Sequence, residues 1–280
     1  NIVWVAAYGP VWSSGGERGV YKSMDGGKTW ERTLFVSDET GISEIAIDPT
    51  NPDILYAAAH QRRRHEWTYI GGGPESAMYK STDGGKTWRK INVGLPEGQM
   101  GRIGIAVSPV DGNYVYAIVE GRDDKGGFFR STNMGESWSK MSGFNTSGNY
   151  YQEIMCDVKD KNKVFAMDTY MHHTEDGGKT FKQTGEHQKH VDNHALWIDP
   201  NNTDHWLAGC DGGVYETYNH AQQWKYYSNL PIIQFYKVVT DNDYPFYNIY
   251  GGTQDNNSMG GPSETNKIGR ASCRERVSSP

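Results

Sequence analysis

Ser81-Thr82-Asp83-Gly84-Gly85-Lys86-Thr87-Trp88 is the stretch on which the fold turns. The same register returns at Ser23-Met24-Asp25-Gly26-Gly27-Lys28-Thr29-Trp30, at Ser131-Thr132-Asn133-Met134-Gly135-Glu136-Ser137-Trp138 and at Thr174-Glu175-Asp176-Gly177-Gly178-Lys179-Thr180-Phe181. A worn fifth copy reads Thr217-Tyr218-Asn219-His220-Ala221-Gln222-Gln223-Trp224. The closing aromatics lie 58, 50, 43 and 43 residues apart, a period that suits one four-stranded sheet per repeat. The chemistry of the segment is that of a hairpin turn. The carboxylate accepts backbone N–H groups of its own turn, and the glycines allow positive φ where the chain reverses. The aromatic residue opens the next strand and is expected to bury a large surface between neighbouring sheets. Asp25, Asp83 and Asp176 are therefore read as structural. Asn133 and Asn219 fit, because an amide keeps the acceptor oxygen that a turn needs and loses the charge that a catalytic acid needs.

Alternating strands flank each copy, as at Ala77-Met78-Tyr79-Lys80 before Ser81. A second element supplies two more strands, as in Ser43-Glu44-Ile45-Ala46-Ile47-Asp48-Pro49, a turn at 50–53, and Ile54-Leu55-Tyr56-Ala57-Ala58-Ala59. Each unit is thus four strands, A to D, with the recurrent turn between C and D. The predicted fold is all-β, a β-propeller of four-stranded antiparallel blades, since radial repetition is how small sheets shield their edges. Four whole units run from about 43 to 230, with strands B to D of an earlier unit at 1–36 and strands A and B of a later one at 234–251. The expected organisation is a propeller fragment over 1–266, of five to six blades with the first and last incomplete. A non-native, adapter-like tail is expected over 267–280, where apolar alternation stops and arginines cluster.

Composition agrees. Thirty-four glycines, nine tryptophans and 18 tyrosines suit short strands and tight turns. A net charge of -6 gives no general basic surface for nucleic acid or acidic lipid, and no apolar run is long enough to span a membrane. Three cysteines make no disulfide framework; Cys156 and Cys210 read as buried small hydrophobes. The chain opens inside a strand, so the lack of a leader sequence carries no information.

In such a propeller, strand A lines the channel, the A–B and C–D turns share one face, and the D–A and B–C loops share the other. Ligands are expected on the second face. The longest B–C loop holds Arg62, Arg63, Arg64, Glu66, Trp67, Tyr69 and Glu75, a set able to grip an acidic group and stack on a sugar or peptide ring. Strand alternation would place His190, Asp192 and His194 on one face at the channel mouth, able to hold a metal or to transfer protons, or simply to make structural hydrogen bonds. Tyr151, Asp168, His172, Asp211, Gln254 and Asp255 belong to the same predicted rim. No metal or cofactor is assigned. A hydrolase would need two carboxylates roughly 5 to 10 Å apart, and Glu66, Glu75, Asp168, Asp192 and Asp211 are the candidates.

The Ser/Thr-x-Asp-x-Gly-x-x-Trp/Phe pattern resembles the Asp box, or BNR repeat, of sialidases, xyloglucan-degrading hydrolases, sortilin receptors and photosystem assembly factors. Gly71-Gly72-Gly73-Pro74-Glu75-Ser76 and His190-Val191-Asp192-Asn193-His194-Ala195 look most like large bacterial proteins of the sortilin-N-terminal-domain or BNR-repeat glycosyl hydrolase type. The structural Asp-box set is then Asp25, Trp30, Asp83, Trp88, Asn133, Trp138, Asp176, Phe181 and Trp224. The resemblance implies a secreted or periplasmic module, part of a longer polypeptide, that binds a glycan or peptide. Its rival is a secreted glycoside hydrolase, and a scaffold for assembling another protein comes third. Arg102-Ile103-Gly104 lacks the proline of the sialidase segment, which sets that activity aside.

Overall fold

The computed structural model describes residues 1–230 and 234–264, and every described element is a strand or a loop. No helix is long and apolar enough to cross a membrane among these residues. The first sheet holds β1 (Val3–Ala7), β2 (Gly19–Ser23) and β3 (Glu31–Leu34). The second holds β4 (Thr40–Ile47), β5 (Leu55–Gln61), β8 (Ala77–Ser81) and β9 (Arg89–Lys90), with a small hairpin of β6 (Arg63–His65) and β7 (Thr68–Ile70) between β5 and β8. The third is β10 (Met100–Val107), β11 (Val115–Gly121), β12 (Gly127–Ser131) and β13 (Ser139–Ser142). The fourth is β14 (Ile154–Cys156), β15 (Val164–Ala166), β16 (His172–Thr174) and β17 (Lys182–Gln183). The fifth is β18 (Asn193–Ile198), β19 (Trp206–Cys210), β20 (Gly213–Thr217) and β21 (Lys225–Tyr226). A sixth has β22 (Phe235–Thr240), β23 (Asn248–Thr253) and β24 (Ser258–Pro262), one strand more than the sequence reading gave it. All pairings are antiparallel, and the chain is a β-propeller built from consecutive sheets. The expected tail at 267–280 lies outside the described residues.

The second strands of the second, third and fourth sheets have both faces covered, which is why they read as continuous apolar runs rather than alternating ones. Along β5, Ala57 and Ala59 pack on the first sheet, while Tyr56 and Ala58 pack on the third. Along β11, Val115, Ala117 and Val119 face the second sheet, and Tyr116 and Ile118 the fourth. A further cluster joins the fourth and fifth sheets around Phe165, Trp206 and Trp224. Each fully buried Tyr or Phe contributes roughly 2 to 3 kcal/mol of apolar burial. Among the described residues no such cluster joins the fifth and sixth sheets, and β22 is exposed along its whole length.

The recurrent turn forms as its chemistry dictates. Asp83 Oδ1 accepts the N–H groups of Lys86 (3.0 Å) and Thr87 (2.9 Å) and the Ser81 hydroxyl (2.8 Å), and Oδ2 accepts the Thr87 hydroxyl (2.6 Å). Gly85 has φ +76° and donates to Ser81 Oγ; a Cβ there would sit 2.1 Å from the Trp4 ring. The worn copy keeps the turn at a cost, with His220 and Ala221 at φ of 51° and 63° where glycine is absent. A second staple was not singled out in the sequence. Asp48, Asp157 and Asp199 cap the A–B turns by accepting N–H groups of Thr50, Lys159 and Asn201.

The expectation that every closing aromatic is buried needs correction. Trp138 and Trp224 are buried, Trp88 and Phe181 are half-buried, and Trp30 is 43% exposed. The indole reaches back to the preceding sheet, where Trp138 donates to the Ile91 carbonyl and Trp224 to that of Gly185. No sheet precedes Trp30 among the described residues, and its indole bonds within its own turn. Cys156 is buried, whereas Cys210 is only half-buried.

Candidate functional site

The recurrent turns and the A–B turns meet on one face, since Gly84 N–H donates to the Asp53 carbonyl and Met134 N–H to that of Asn113. The D–A and B–C loops meet on the other, through Gly15 to Asp38, Arg64 to Val11, and Gly73 to Met100. That second rim carries two groups of polar side chains.

The first is built on the loop after β1. Arg18 is fully buried, and its guanidinium donates to the carbonyls of Tyr8 (2.8 Å), Pro10 (2.7 Å), Ser13 (3.0 Å) and Gly15 (3.0 Å). Tyr8 hydrogen-bonds His60 Nδ1, and His60 Nε2 meets the Gly71 carbonyl at 3.1 Å. Burial pulls His60 down to about 4 and pushes Tyr8 up to about 12. The imidazole is therefore neutral, accepting from the phenol and donating to Gly71. The Arg62 guanidinium lies 3.3 Å from the Tyr8 ring centroid. Arg63 forms an ion pair with Glu39 from the D–A loop, and Arg64 lies over Tyr69 at 5.2 Å. The three consecutive arginines thus have three different surroundings. His65 and Trp67 stack with centroids 5.3 Å apart and planes at 11°, and Trp67 is 80% exposed. Beside this hairpin opens a cleft of about 410 Å³ lined by Glu39, Arg62, Arg63, His65 and Gln99. Gln99 also lines an adjoining hollow of about 280 Å³ with Glu120 and Arg122.

The second group surrounds Tyr151. Its phenol donates to Asp192 Oδ1 at 2.6 Å, and its ring stacks on His194, whose Nε2 lies 2.9 Å from Asp211 Oδ1. Burial, then the Asp192 carboxylate, lifts the Tyr151 phenol to about 12. A buried Lys189–Glu186 pair at 3.0 Å, with Asn193 bonded to both, holds this loop against residues 168–171.

Other predicted residues go elsewhere. His190, Asp192 and His194 do not share a strand face. β18 begins only at Asn193, Asp192 has φ +62°, and a bulge falls between Asn193 and Ala195. His190 instead bonds the Val191 carbonyl through Nδ1. Glu75 is engaged by the hydroxyls of Ser37 and Thr40, which hold its carboxyl below the usual range. Glu66 is exposed at the hairpin tip, and His172 is half-buried against Phe144. Asp168 accepts the Thr169 N–H, and Gln254 and Asp255 form the B–C turn of the sixth sheet. Among the described residues no group of three His, Cys, Asp or Glu could hold a metal ion.

The first strands of the second, third and fourth sheets add residues that the sequence does not mark. Glu44 accepts the Ile105 N–H (3.1 Å), and Arg102 pairs with Glu153 Oε1 at 2.5 Å. Glu44 as a residue is partly exposed, but its carboxyl is enclosed by neighbouring atoms, and that burial lifts it to about 8. Nearby Glu153 pushes the same way and Arg102 opposes. Glu44 and Glu153 each stand four residues before an A–B turn aspartate, Asp48 and Asp157, a repeat signal that could have located both.

Comparisons with known proteins agree with this architecture. Xyloglucanase Xgh74A of Acetivibrio thermocellus is 27% identical over 249 residues, covering 74% of this chain and 28% of that protein. The chain therefore spans little more than a quarter of that relative's length. A solved ancestral GH74 enzyme superposes with a TM-score of 0.52 at 17% identity, over 95% of this chain and 38% of that one. A nidogen/laminin complex structure contains a chain matching with a TM-score of 0.54 at 12% identity, over 93% of this chain and 89% of that chain. The family model described as sortilin, neurotensin receptor 3, matches residues 18–171, more than half of the chain, which belongs to the Sortilin-Vps10 family.

Proposed function

We propose that this propeller is a ligand-binding module of an exported protein, taking a glycan or peptide on the rim of D–A and B–C loops. One observation carries the reading. Arg62 and His65, the latter stacked on the exposed Trp67, line an open cleft, whereas Glu75, Asp192 and Asp211 are already engaged by neighbouring side chains. Glycan and peptide arrays probed with the protein test it, with each retained ligand rechecked against Arg62→Gln and Trp67→Ala. Failure to retain any class counts against the reading.

A glycoside hydrolase is the second reading, and a different observation favours it. Glu44 holds its proton to about pH 8 while nearby Glu153 is ion-paired with Arg102, and such divergent environments suit an acid and a base. Reducing-sugar release from polysaccharide, lost in Glu44→Gln or Asp192→Asn with folding intact, would favour the enzyme.

A further inference from the structure

We infer that the Arg62 cleft is a receptor for a sugar carboxylate, so that its ligand is a uronate-bearing oligosaccharide; this rests on the ligand-binding reading of the rim. Of the two arginines lining the cleft, Arg63 is neutralised by Glu39. Arg62 has no ion-pair or hydrogen-bond partner among the described residues, and its Nε is buried without an acceptor. A guanidinium so placed gains most from an anion that can take two of its N–H groups side by side. Its orientation is set in advance. Tyr8 covers one face of the guanidinium, His60 holds the Tyr8 phenol, Gly71 holds His60, and Arg18 holds the Tyr8 carbonyl. The group therefore presents its edge with little ordering left to do on binding.

The surroundings suit a sugar rather than a peptide. Trp67 offers a flat exposed ring, backed by His65, which itself lines the cleft. The apolar face of a pyranose ring can lie on such a platform. Gln99 supplies an amide able both to donate to and accept from sugar hydroxyls, between the cleft and the adjoining hollow. A peptide would instead look for main-chain partners. The N–H of Gly73 is committed to Met100, and that of Arg64 to Val11.

Calorimetric titration of the full chain tests this, using oligogalacturonate and the same oligomer with its carboxyl groups reduced. The acid form is expected to bind about tenfold or more tightly than the reduced form. Arg62→Gln should erase that preference, Arg62→Lys should lose most of it, and Trp67→Ala should weaken both ligands alike. Equal affinity for the two forms overturns the inference, as does a preference that survives in a folded Arg62→Gln protein. If that variant does not fold, an undiminished preference in Arg62→Lys overturns it instead. Binding of a neutral oligosaccharide or a peptide without binding of the uronate defeats this inference and leaves the ligand-binding reading standing. Binding of none of them defeats both.

Discussion

Lys80 Nζ donates to the main-chain carbonyl of Met134, 2.7 Å away in the recurrent turn of the next sheet. Lys22 does the same to Gly84 at 2.8 Å. Both lysines immediately precede the turn's serine, and Gly84 and Met134 occupy the same place in their turns. Because those two residues also donate to their own A–B turns, each recurrent turn is clamped to its own sheet and to the one before it. In the fifth sheet the lysine's place is taken by Glu216, which cannot donate to a carbonyl. It gathers His205, Tyr218 and Tyr227 within its own sheet instead.

The clamp should be measurable. Lys80 is almost fully buried and also pairs with Glu136 at 3.0 Å. Lys80→Met is expected to lower unfolding free energy in urea by about 1 to 3 kcal/mol. An unchanged midpoint would show that the inter-sheet bond adds nothing.

The turn carboxylates make a second case. Hydrogen bonds from the Thr29 backbone and hydroxyl bring Asp25 down to about 2, and the matching bonds hold Asp83 well below the usual range. Such groups bind fewer protons folded than unfolded, so their stabilisation is present above the ordinary carboxylate range and lost as pH falls below it. Asp83→Ala should flatten the acid limb of the stability curve and lower the melting temperature. Asp83→Asn should lower it less, since Asn133 already works in the third sheet. There the amide donates to the Ser137 hydroxyl, where an aspartate would accept from it.

Burial separates two equivalent tryptophans. Trp138 is 5% exposed within the core of the second and third sheets, and its loss to alanine should cost about 3 to 5 kcal/mol. Trp30→Ala should cost less than about 1.5 kcal/mol, as suits an exposed position. Denaturant titration of both variants checks the contrast, and equal costs would refute the account of why the aromatics differ.

His60 has a pH signature. Its folded value of about 4 lies below the unfolded 6.5, so the unfolded chain binds the extra proton between these values. The neutral imidazole's contribution is complete above pH 6.5 and is lost as pH falls towards 4, by up to roughly 3 kcal/mol. The stability difference between the parent and His60→Gln should shrink over that window. Glu44 acts in the opposite sense, its contribution falling as pH rises from about 4.5 to about 8. Glu44→Gln should flatten that decline.

The sheets were legible because one turn with a fixed chemistry recurs, and because second strands carry apolar runs that only two-sided burial explains. The long arginine-rich loop was legible as a rim feature. Its architecture was not, because the residues that organise it come from other units: Tyr8 and Glu39 before it, Gln99 after it. Nothing local marks those pairings. The His190–His194 segment misled for a different reason. Strand periodicity was extended across a left-handed residue, Asp192, which the loop conformation favours and alternation cannot reveal.

Under the proposed function, recognition takes place opposite the recurrent turns. Hydrogen–deuterium exchange of the full chain, with and without a bound oligosaccharide, tests that most directly. Slowed exchange confined to residues 8–15, 60–75 and 97–102 is the predicted result. Slowed exchange concentrated at 81–88 and 131–138 would contradict it.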